Sequence, residues 1–407
     1  MSFRILALYK FVSPKYDRAS LPLRRDELER FCISQNVRGT LILSTEGING
    51  TISYPYSWIE DERRRKEIPS ILKSVEATTT EKPLEATNCT TRNLSTTTTT
   101  SIKDPVYEYF TTEYPNLTMR ISHDEKPAFP RLSIKIKSQI VTMSKDTTTA
   151  TTTNDNVVID PTISVGDYVN PGQDWDQLLE DPTCLVIDTR NDYEIQLGTF
   201  RGAINPGTTQ FTEFPNWLQS QIKPNLVTLE ATNPPNQINK IAMFCTGGIR
   251  CEKATSLAKQ ILPNIKIYHL KGGILSYLET VPPDQSKFQG ECYVFDQRVA
   301  VTHGLQPTKQ YVSCFACRHP LSLEDRRHES YVEGISCHYC IDSNTEKQKQ
   351  RYLDRSKQIE LAEQKGILHV YDPKFTNIRK QSSNTKQSYE NSSTDQRNGF
   401  NAEKSGN

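Results

Sequence analysis

The segment at residues 241–262, IAMFCTGGIRCEKATSLAKQIL, places a cysteine between an apolar run and a helix-like pattern. The loop after Cys245 consists of Thr246, Gly247, Gly248 and Ile249 and ends at Arg250. Glycines let backbone N–H groups converge into an anion-binding nest, and a helix N-terminus and an arginine add positive charge. All three favour thiolate over thiol, so we expect a nucleophilic sulfur with a lowered pKa. A cysteine packing as a small hydrophobe is the alternative, but it gives the Gly-Gly turn and the arginine no role.

Further polar groups are predicted close to this loop. Asp188 and Arg190 end or follow the apolar run CLVID at residues 184–188. Because ligands of open α/β sheets bind at the carboxyl ends of parallel strands, these two side chains are expected to orient the loop or to meet the substrate. For Asp188, capping or pairing with a basic group is an equal alternative. Cys251 is either a resolving thiol or a small residue that packs at the helix start.

A second group of cysteines has the spacing of a metal site. Cys314, Cys317, Cys337 and Cys340 form two CxxC pairs with 19 residues between the pairs. This is typical of zinc ribbons, in which four thiolates surround one ion. We predict a structural zinc, because four thiolates leave no coordination position for catalysis. Loose thiols or disulfides are the alternative, and three nearby histidines are alternative ligands: His319, His328 and His338.

The composition sets limits on the class of protein. The chain has 407 residues, a formal net charge of +1 and 35% hydrophobic residues, with a mean hydropathy of −0.61. We therefore expect two or three domains and a part of the chain outside any core. No apolar run approaches the roughly 18 residues of a membrane span, and the N-terminus reads as a strand rather than a signal peptide. Reduced thiols in a cytoplasmic protein are expected.

Residues 1–145 are predicted to form a ferredoxin-like βαββαβ domain. Its expected strands are residues 4–12, 39–47, 51–56 and 131–143, and its expected helices are residues 21–37 and 60–75. The segment Ile48-Asn49-Gly50 is expected to join the second and third strands as a hairpin turn. Lys135 and Lys137 share one face of the last strand, which is either solvated or bound to phosphates.

The rest of the chain divides by pattern. Threonine-rich segments at about residues 76–104 and at residues 146–157 are expected to be a disordered insertion and a linker. Residues 158–290 alternate short apolar strands with helices, which predicts a parallel sheet covered on both faces. Residues 291–342 form the cysteine module, and residues 343–407 are expected to be a polar, largely disordered tail.

The Cys-x4-Arg loop resembles the active-site loop of rhodanese domains, and residues 186–206, VIDTRNDYEIQLGTFRGAINP, resemble the rhodanese signature. The loop is shorter than the Cys-x5-Arg loop of the related phosphatases, which disfavours that activity. Over residues 3–342 the chain is similar to the rhodanese-domain tRNA uridine(34) hydroxylases. The resemblance is carried, in order, by ALYKF, GTLILSTEGINGTI, DTRNDYE, FCTGGIRCEKA, LKGGILSYLE and GECYVFDQRVAV.

This resemblance implies an enzyme that converts the wobble uridine of tRNA to 5-hydroxyuridine with molecular oxygen. Cys245 would be its catalytic, persulfide-forming cysteine, and Arg250 would close the loop. The sulfur is expected to add to C6 of uracil and to load electron density onto C5, which is then oxygenated. No flavin or NAD motif is evident in the sequence.

The implied partner is the tRNA anticodon loop, with no membrane partner, and no oligomeric state is predicted. Arg318, Arg326 and Arg327 make the cysteine module basic, either as a tRNA contact or as a solvated surface. A rhodanese-type sulfurtransferase, served by a sulfur donor protein, is the alternative activity. The N-terminal domain and the EGINGT segment favour the hydroxylase, because a minimal sulfurtransferase needs neither.

Overall fold

The computed structural model describes residues 2–56, 104–143, 159–226 and 237–365. These residues form an N-terminal α/β part, a central part built on a parallel sheet, and a C-terminal cysteine module followed by a helix. The predicted fold class is confirmed. No helix among the described residues is long and apolar enough to cross a lipid bilayer.

The N-terminal part is a five-stranded sheet with helices against it. Its elements are β1 (Ser2–Phe11), α1 (Leu21–Ser34), β2 (Arg38–Ser44), β3 (Gly47–Tyr56), α2 (Pro105–Glu113), β4 (Thr118–Asp124) and β5 (Leu132–Ile136). The strand order is β4-β1-β3-β2-β5. Strand β5 runs parallel to β2, and all other pairs are antiparallel. Leu28 of α1 and Phe110 of α2 pack with Leu6, Leu8 and Leu41 of the sheet in one core.

The fourth strand of the βαββαβ motif is β4, whereas the sequence predicted residues 131–143 for this position. The observed β5 is an additional strand at the edge of the sheet, beside β2. The helix before β4 is α2, whose Asp104 side chain accepts hydrogen bonds from the first backbone N–H groups. The predicted helix at residues 60–75 lies outside the described residues, as do residues 76–103 of the predicted insertion and the whole linker at 146–157.

The predicted Asn-Gly hairpin turn is wrong. Ser44 pairs with Gly47, so the turn lies at Thr45 and Glu46, and Asn49 and Gly50 are interior residues of β3. Strand β3 is paired on both sides, with β1 and β2, and this pairing sets its register. At Gly50 a Cβ atom would collide with the backbone of β2, so this glycine permits close strand approach rather than a turn.

The central part contains the parallel sheet. Its elements are β6 (Asp167–Val169), α3 (Gln173–Glu180), β7 (Cys184–Asp188), α4 (Asp192–Ile195), β8 (Gly198–Phe200), α5 (Phe214–Trp217), β9 (Lys240–Phe244), α6 (Ile249–Ile261), β10 (Lys266–Leu270), α7 (Gly273–Thr280) and β11 (Phe288–Gly290). The sheet order is β6-β10-β9-β7, with every pair parallel.

Strand β9 is buried on both faces, which explains its uninterrupted apolar run. Ile241 and Met243 belong to the core that includes Leu257 of α6. Ala242 and Phe244 belong to the core that includes Ile274 and Leu278 of α7. The residue after the strand, Cys245, therefore leaves the sheet between two packed helices.

The C-terminal part is made of short elements. They are β12 (Cys292–Tyr293), β13 (Ala300–Val301), β14 (Val312–Ser313), β15 (Pro320–Leu321) and α8 (Glu346–Gln364). Single turns of 3₁₀ or π helix occupy Arg18–Ser20, Phe211–Glu213, Leu218–Ile222, Pro283–Gln285, His303–Leu305 and Asp325–Arg327.

Helix α8 begins inside the segment for which the sequence predicted a polar tail. The Arg355 guanidinium lies 2.9 Å from the centre of the Phe315 ring and donates a hydrogen bond to the Gly334 carbonyl at 3.2 Å. Long polar side chains can cover a small module in this way. Because these contacts use an arginine rather than an apolar stripe, hydrophobic periodicity did not predict them.

Candidate active site

The cysteine loop curls around its own sulfur. Cys245 directly follows β9, and Gly248 is the N-cap of α6 with a φ of +99°, a conformation that favours glycine. The Gly248 N–H donates a hydrogen bond to the Cys245 Sγ at 3.1 Å. A Cβ atom at position 248 would also lie 3.0 Å from the Tyr9 hydroxyl. The turn therefore requires glycine, and a side chain at this position would also press on the Tyr9 hydroxyl.

The electrostatic environment favours the thiolate of Cys245. Burial raises the pKa of this thiol. A hydrogen bond from the Cys251 thiol, the charge of Arg250 and the backbone N–H groups of Cys251 and Arg250 outweigh that effect and lower the pKa to about 6. For Cys251, burial and the neighbouring Cys245 raise the pKa well above the usual value. This environment favours a thiolate at Cys245 and a thiol at Cys251 at neutral pH.

Arg250 is held by a carboxylate from another part of the chain. Its two terminal nitrogens donate to the Glu194 carboxylate at 2.6 and 2.8 Å, and its Nη2 lies 3.3 Å from the Thr246 Oγ1. Glu194 is fully buried. Burial raises its pKa, but the Arg250 charge and hydrogen bonds give a net lowering. The bidentate pair fixes the guanidinium beside the loop.

Glu194 was not among the predicted site residues. It is the last of the three acidic residues in the DTRNDYE segment, and membership of that segment was the signal available. The Asn191 N–H donates to its Oε2 at 3.1 Å, in a capping box at the start of α4. Helix α4 therefore positions the carboxylate that positions Arg250.

Asp188 and Arg190 lie next to this pair, but they contact each other. Both side chains are fully buried. Arg190 donates to the Asp188 carboxylate from Nε at 2.9 Å and from Nη2 at 2.7 Å. Its Nη1 donates to the Glu194 carbonyl at 3.3 Å, and Thr199 donates to Asp188 at 2.8 Å. Neither residue is part of the cavity wall described below. Because Arg190 also donates to the Glu194 carbonyl, the pair stabilises the turn that carries Glu194.

A cavity of about 570 Å³ opens between the cysteine loop and the N-terminal sheet. This volume is in the range of sites for small molecules. The wall contains loop residues, residues of β1 to β4, and the segment after β12, including Cys245, Gly247, Ile249, Arg250, Tyr9, Asn49, Thr51, Arg120, Phe129, Lys137, Asn191, Phe295 and Arg298. Cys245 has no surface exposed to bulk solvent. The space beside Gly247 is open to at least 4 Å, which gives a route of approach to the loop.

The N-terminal sheet is tied to helix α6, which follows the cysteine loop. The Tyr9 hydroxyl donates to the Glu252 Oε1 at 2.9 Å, and Tyr168 donates to the same oxygen at 2.8 Å. The Lys253 ammonium donates to the Glu46 carboxylate at 2.9 Å and to the Val141 carbonyl at 3.0 Å. No local sequence pattern marks these residues, because their contacts join segments that are distant in the chain. They hold both walls of the cavity together.

The two CxxC pairs come together in the C-terminal part. All four Sγ atoms lie within 4.8 Å of one another. Three of the separations are 3.9 Å for Cys314–Cys340, 3.7 Å for Cys317–Cys337 and 3.8 Å for Cys337–Cys340. A tetrahedron of thiolates about 2.3 Å from a central ion has edges of about 3.8 Å. The cluster can hold a metal ion, and no histidine belongs to it among the described residues.

Comparison with protein families defines the class of the chain. The model of the UPF0176 acylphosphatase-like domain matches residues 3–140, and the model of the rhodanese-like domain matches residues 173–280. The first range contains the five-stranded sheet, and the second contains the cysteine loop. The chain is thus a rhodanese-like protein with an N-terminal acylphosphatase-like domain.

Full-length relatives identify the family within this class. A tRNA uridine(34) hydroxylase from Teredinibacter turnerae is 39% identical over 374 residues, which is 91% of this chain and 93% of the relative. One from Acaryochloris marina is 41% identical over 369 residues, or 90% and 96% of the two chains. The chain belongs to the tRNA uridine(34) hydroxylase family, as predicted. A solved rhodanese-related protein from Thermoplasma volcanium is 20% identical, covering 28% of this chain and 90% of that one, with a TM-score of 0.20.

Proposed function

We propose that this protein hydroxylates C5 of the wobble uridine of tRNA, with molecular oxygen as co-substrate and Cys245 as nucleophile. The observation that carries the proposal is the Cys245 sulfur, which accepts a hydrogen bond from the Gly248 N–H and lies in the wall of a cavity shared with the N-terminal sheet. The relatives named tRNA uridine(34) hydroxylase support the choice of substrate. That substrate supports the predicted cytoplasmic location.

The proposed chemistry begins at the thiolate. The wobble base lies in a single-stranded loop, so it can be unstacked into the cavity at low cost. The Cys245 sulfur adds to C6 of uracil, and C5 becomes electron-rich. The loop amides and Arg250, which lines the cavity, stabilise the negative charge on the uracil oxygen. Oxygen is then transferred to C5, and the sulfur leaves C6.

The oxidation balances if Cys251 and Cys245 together supply two electrons. One oxygen atom of O₂ replaces the hydrogen at C5, and the other leaves as water, which requires two electrons and two protons. Cys245 and Cys251 together deliver these two electrons and two protons when they form a disulfide. Uridine, O₂ and two thiols thus give 5-hydroxyuridine, water and one disulfide, which an added thiol reductant reopens. Cys251 lies close enough to Cys245 to lower the pKa of its thiol, and this proximity supports a role for Cys251 as the resolving thiol.

The other predicted residues have supporting roles in this proposal. Asp188 and Arg190 position Glu194 and, through it, Arg250; they are not proposed to contact the substrate. The four-cysteine cluster is proposed to bind zinc, because its sulfur separations fit a tetrahedral tetrathiolate. Zinc held there would stabilise the module, with no role in the reaction. Lys137, which is exposed at the cavity, is proposed to meet the tRNA backbone.

A sulfurtransferase is the second candidate, supported by the match to the rhodanese-like domain. One experiment separates the two activities. The purified protein is incubated with unmodified tRNA, ¹⁸O₂ and a thiol reductant, and nucleosides are analysed by mass spectrometry. We expect 5-hydroxyuridine carrying one ¹⁸O atom. A thiolated base, formed only with a persulfide donor, would instead support sulfur transfer.

Three cysteine variants complete this test. Cys245→Ser should abolish the product, since the thiolate is lost. Cys184→Ser removes a thiol from β7, at the opposite end of the strand from Asp188, and should retain activity. Full hydroxylation by a Cys245→Ala protein would contradict the proposal.

A further inference from the structure

Asn49 occupies an unusual position for an asparagine. It lies inside β3, opposite Tyr9 of β1 and Ile42 of β2, and its side chain lines the cavity. Asparagine is depleted in strand interiors, because its amide competes for backbone hydrogen bonds. The turn between β2 and β3 lies at Thr45 and Glu46. Neither strand propensity nor a turn therefore accounts for an amide at position 49.

The face of the N-terminal sheet that carries Asn49 differs from the opposite face. Leu6, Leu8 and Leu41 belong to the core on the opposite face, together with residues of α1 and α2. In a ligand pocket, a few polar groups orient the ligand and give specificity. The cavity-lining side chains of this sheet are mostly polar, namely Tyr9, Thr40, Asn49, Thr51, Thr118 and Arg120.

A hydrogen bond fixes the orientation of the Asn49 amide. Its Nδ2 donates to the Ile140 carbonyl at 2.8 Å. The Ile140 N–H donates to the Glu46 carboxylate at 2.6 Å, and the same carboxylate accepts from the Lys253 ammonium of α6. If the amide turned over, its Oδ1 would meet the Ile140 carbonyl, and two acceptors would be in contact. Oδ1 thus remains an acceptor, and none of the described residues donates to it.

Uracil presents a hydrogen-bond donor that suits this acceptor. The N3–H group lies opposite C6 in the ring, so it is the part of the base farthest from the Cys245 sulfur when C6 meets that sulfur. The cavity wall across from the cysteine loop is the N-terminal sheet, which contains Asn49. Cytosine has a lone pair at N3 instead of a proton, so it would place one acceptor against another. Enzymes that take a base out of its stack commonly read this edge by hydrogen bonds.

We propose that Asn49 selects uracil, because its Oδ1 accepts the N3–H of the base whose C6 meets Cys245. Cytosine is excluded, since its N3 has no proton and the anchored amide cannot turn over to donate. The inference rests on the proposed function, which supplies an unpaired pyrimidine as occupant. It adds the residue that determines which pyrimidine the cavity accepts.

Two fluorescent anticodon stem-loop RNAs, identical except for U or C at the wobble position, test this role by anisotropy. The wild type should bind the U form about 5- to 150-fold more tightly, because the C form leaves a polar group unpaired. Asn49→Ala should lose this preference, while its rate of Cys245 alkylation by iodoacetamide stays that of the wild type. Asn170→Ala removes an exposed amide outside the cavity wall and is the matched control, with the preference unchanged.

A second measurement uses the unaltered protein. An RNA with 3-methyluridine at the wobble position lacks the N3–H, and it should bind no more tightly than the C form. A preference of less than twofold for U over C or over 3-methyluridine would overturn the role of Asn49 even if hydroxylation is normal, as would a full preference in Asn49→Ala. An Asn49-dependent preference for U without formation of 5-hydroxyuridine would support base selection and contradict the proposed function.

Discussion

Replacing Arg250 by methionine tests whether the guanidinium ionises the Cys245 sulfur. The substitution removes a positive charge that lowers the pKa of Cys245, and it leaves the fully buried Glu194 carboxylate without its bidentate partner. A charge of opposite sign at short range lowers a pKa by about 1–3 units. We therefore expect the pKa of Cys245 to rise from about 6 to about 8. The thiolate fraction at pH 7 falls from about nine-tenths to about one-tenth.

Alkylation of Cys245 by iodoacetamide, followed by mass spectrometry of its peptide, measures this change. Only the thiolate reacts, so the wild-type rate rises with pH and has its midpoint near pH 6. The variant should show its midpoint near pH 8, and at pH 7 its rate should be about tenfold lower. Cys251 should react slowly in both proteins, because burial and its neighbour keep it protonated.

Stability provides an independent readout of the same pair. Breaking a buried ion pair from one side costs about 3–5 kcal/mol, because the other charge stays buried. Arg250→Met should lower the free energy of unfolding in urea by this amount. The double variant Arg250→Met/Glu194→Leu removes both charges, so it should recover much of the loss while the pKa of Cys245 stays raised. Arg25→Met, which breaks an exposed pair with Asp26, should cost at most about 1 kcal/mol.

One result would refute this reasoning. If Arg250→Met alkylates with a midpoint still near pH 6, the loop amides and Cys251 alone ionise the sulfur. Arg250 would then act only as a structural partner of Glu194, and the double variant would differ from the wild type in packing alone.

Three further predictions follow from the same contacts. Cys251→Ser keeps a hydroxyl donor, so the alkylation midpoint of Cys245 should stay near pH 6. Cys251→Ala removes the donor and should raise this midpoint. Equal alkylation midpoints in the two variants would exclude the hydrogen bond from residue 251 as a cause of the lowered pKa. Tyr9→Phe removes the hydroxyl that donates to Glu252 across the cavity, and it should lower the free energy of unfolding by about 1.5–3 kcal/mol; an unchanged urea midpoint would show that this contact does not join the domains. Zinc removal by a chelator in acid should release one equivalent per chain and expose the cysteine module to protease without changing Cys245 alkylation; protein purified without metal would contradict this.

Local sequence was sufficient wherever the chemistry lies within a few residues. Cys245, Gly248 and Arg250 belong to one loop, and a strand before it and a helix after it are enough to form an anion nest. The short apolar strands β7, β9 and β10 follow from burial on both faces. The two CxxC pairs meet as their spacing predicts, because one ion-sized site accommodates all four sulfurs.

Register and long-range contacts depended on the tertiary structure. Asn49 and Gly50 have turn propensity, yet pairing of β3 with strands on both sides places them inside a strand. The same competition made β5 an added edge strand and left β4 as the fourth strand of the motif. Strand register and strand order depend on the pairing of all strands in the sheet, and a short segment of sequence does not contain that information.

The amino-acid sequence by itself determined the cysteine loop, the sulfur cluster and the family. Only the folded chain decided what surrounds them. Glu194 reaches Arg250 across 56 positions of sequence, and Tyr9 reaches Glu252 across 243. The sequence around a carboxylate or a phenol does not identify its hydrogen-bond partner. The partner depends on how sheets and helices pack, and these elements meet only in the complete fold.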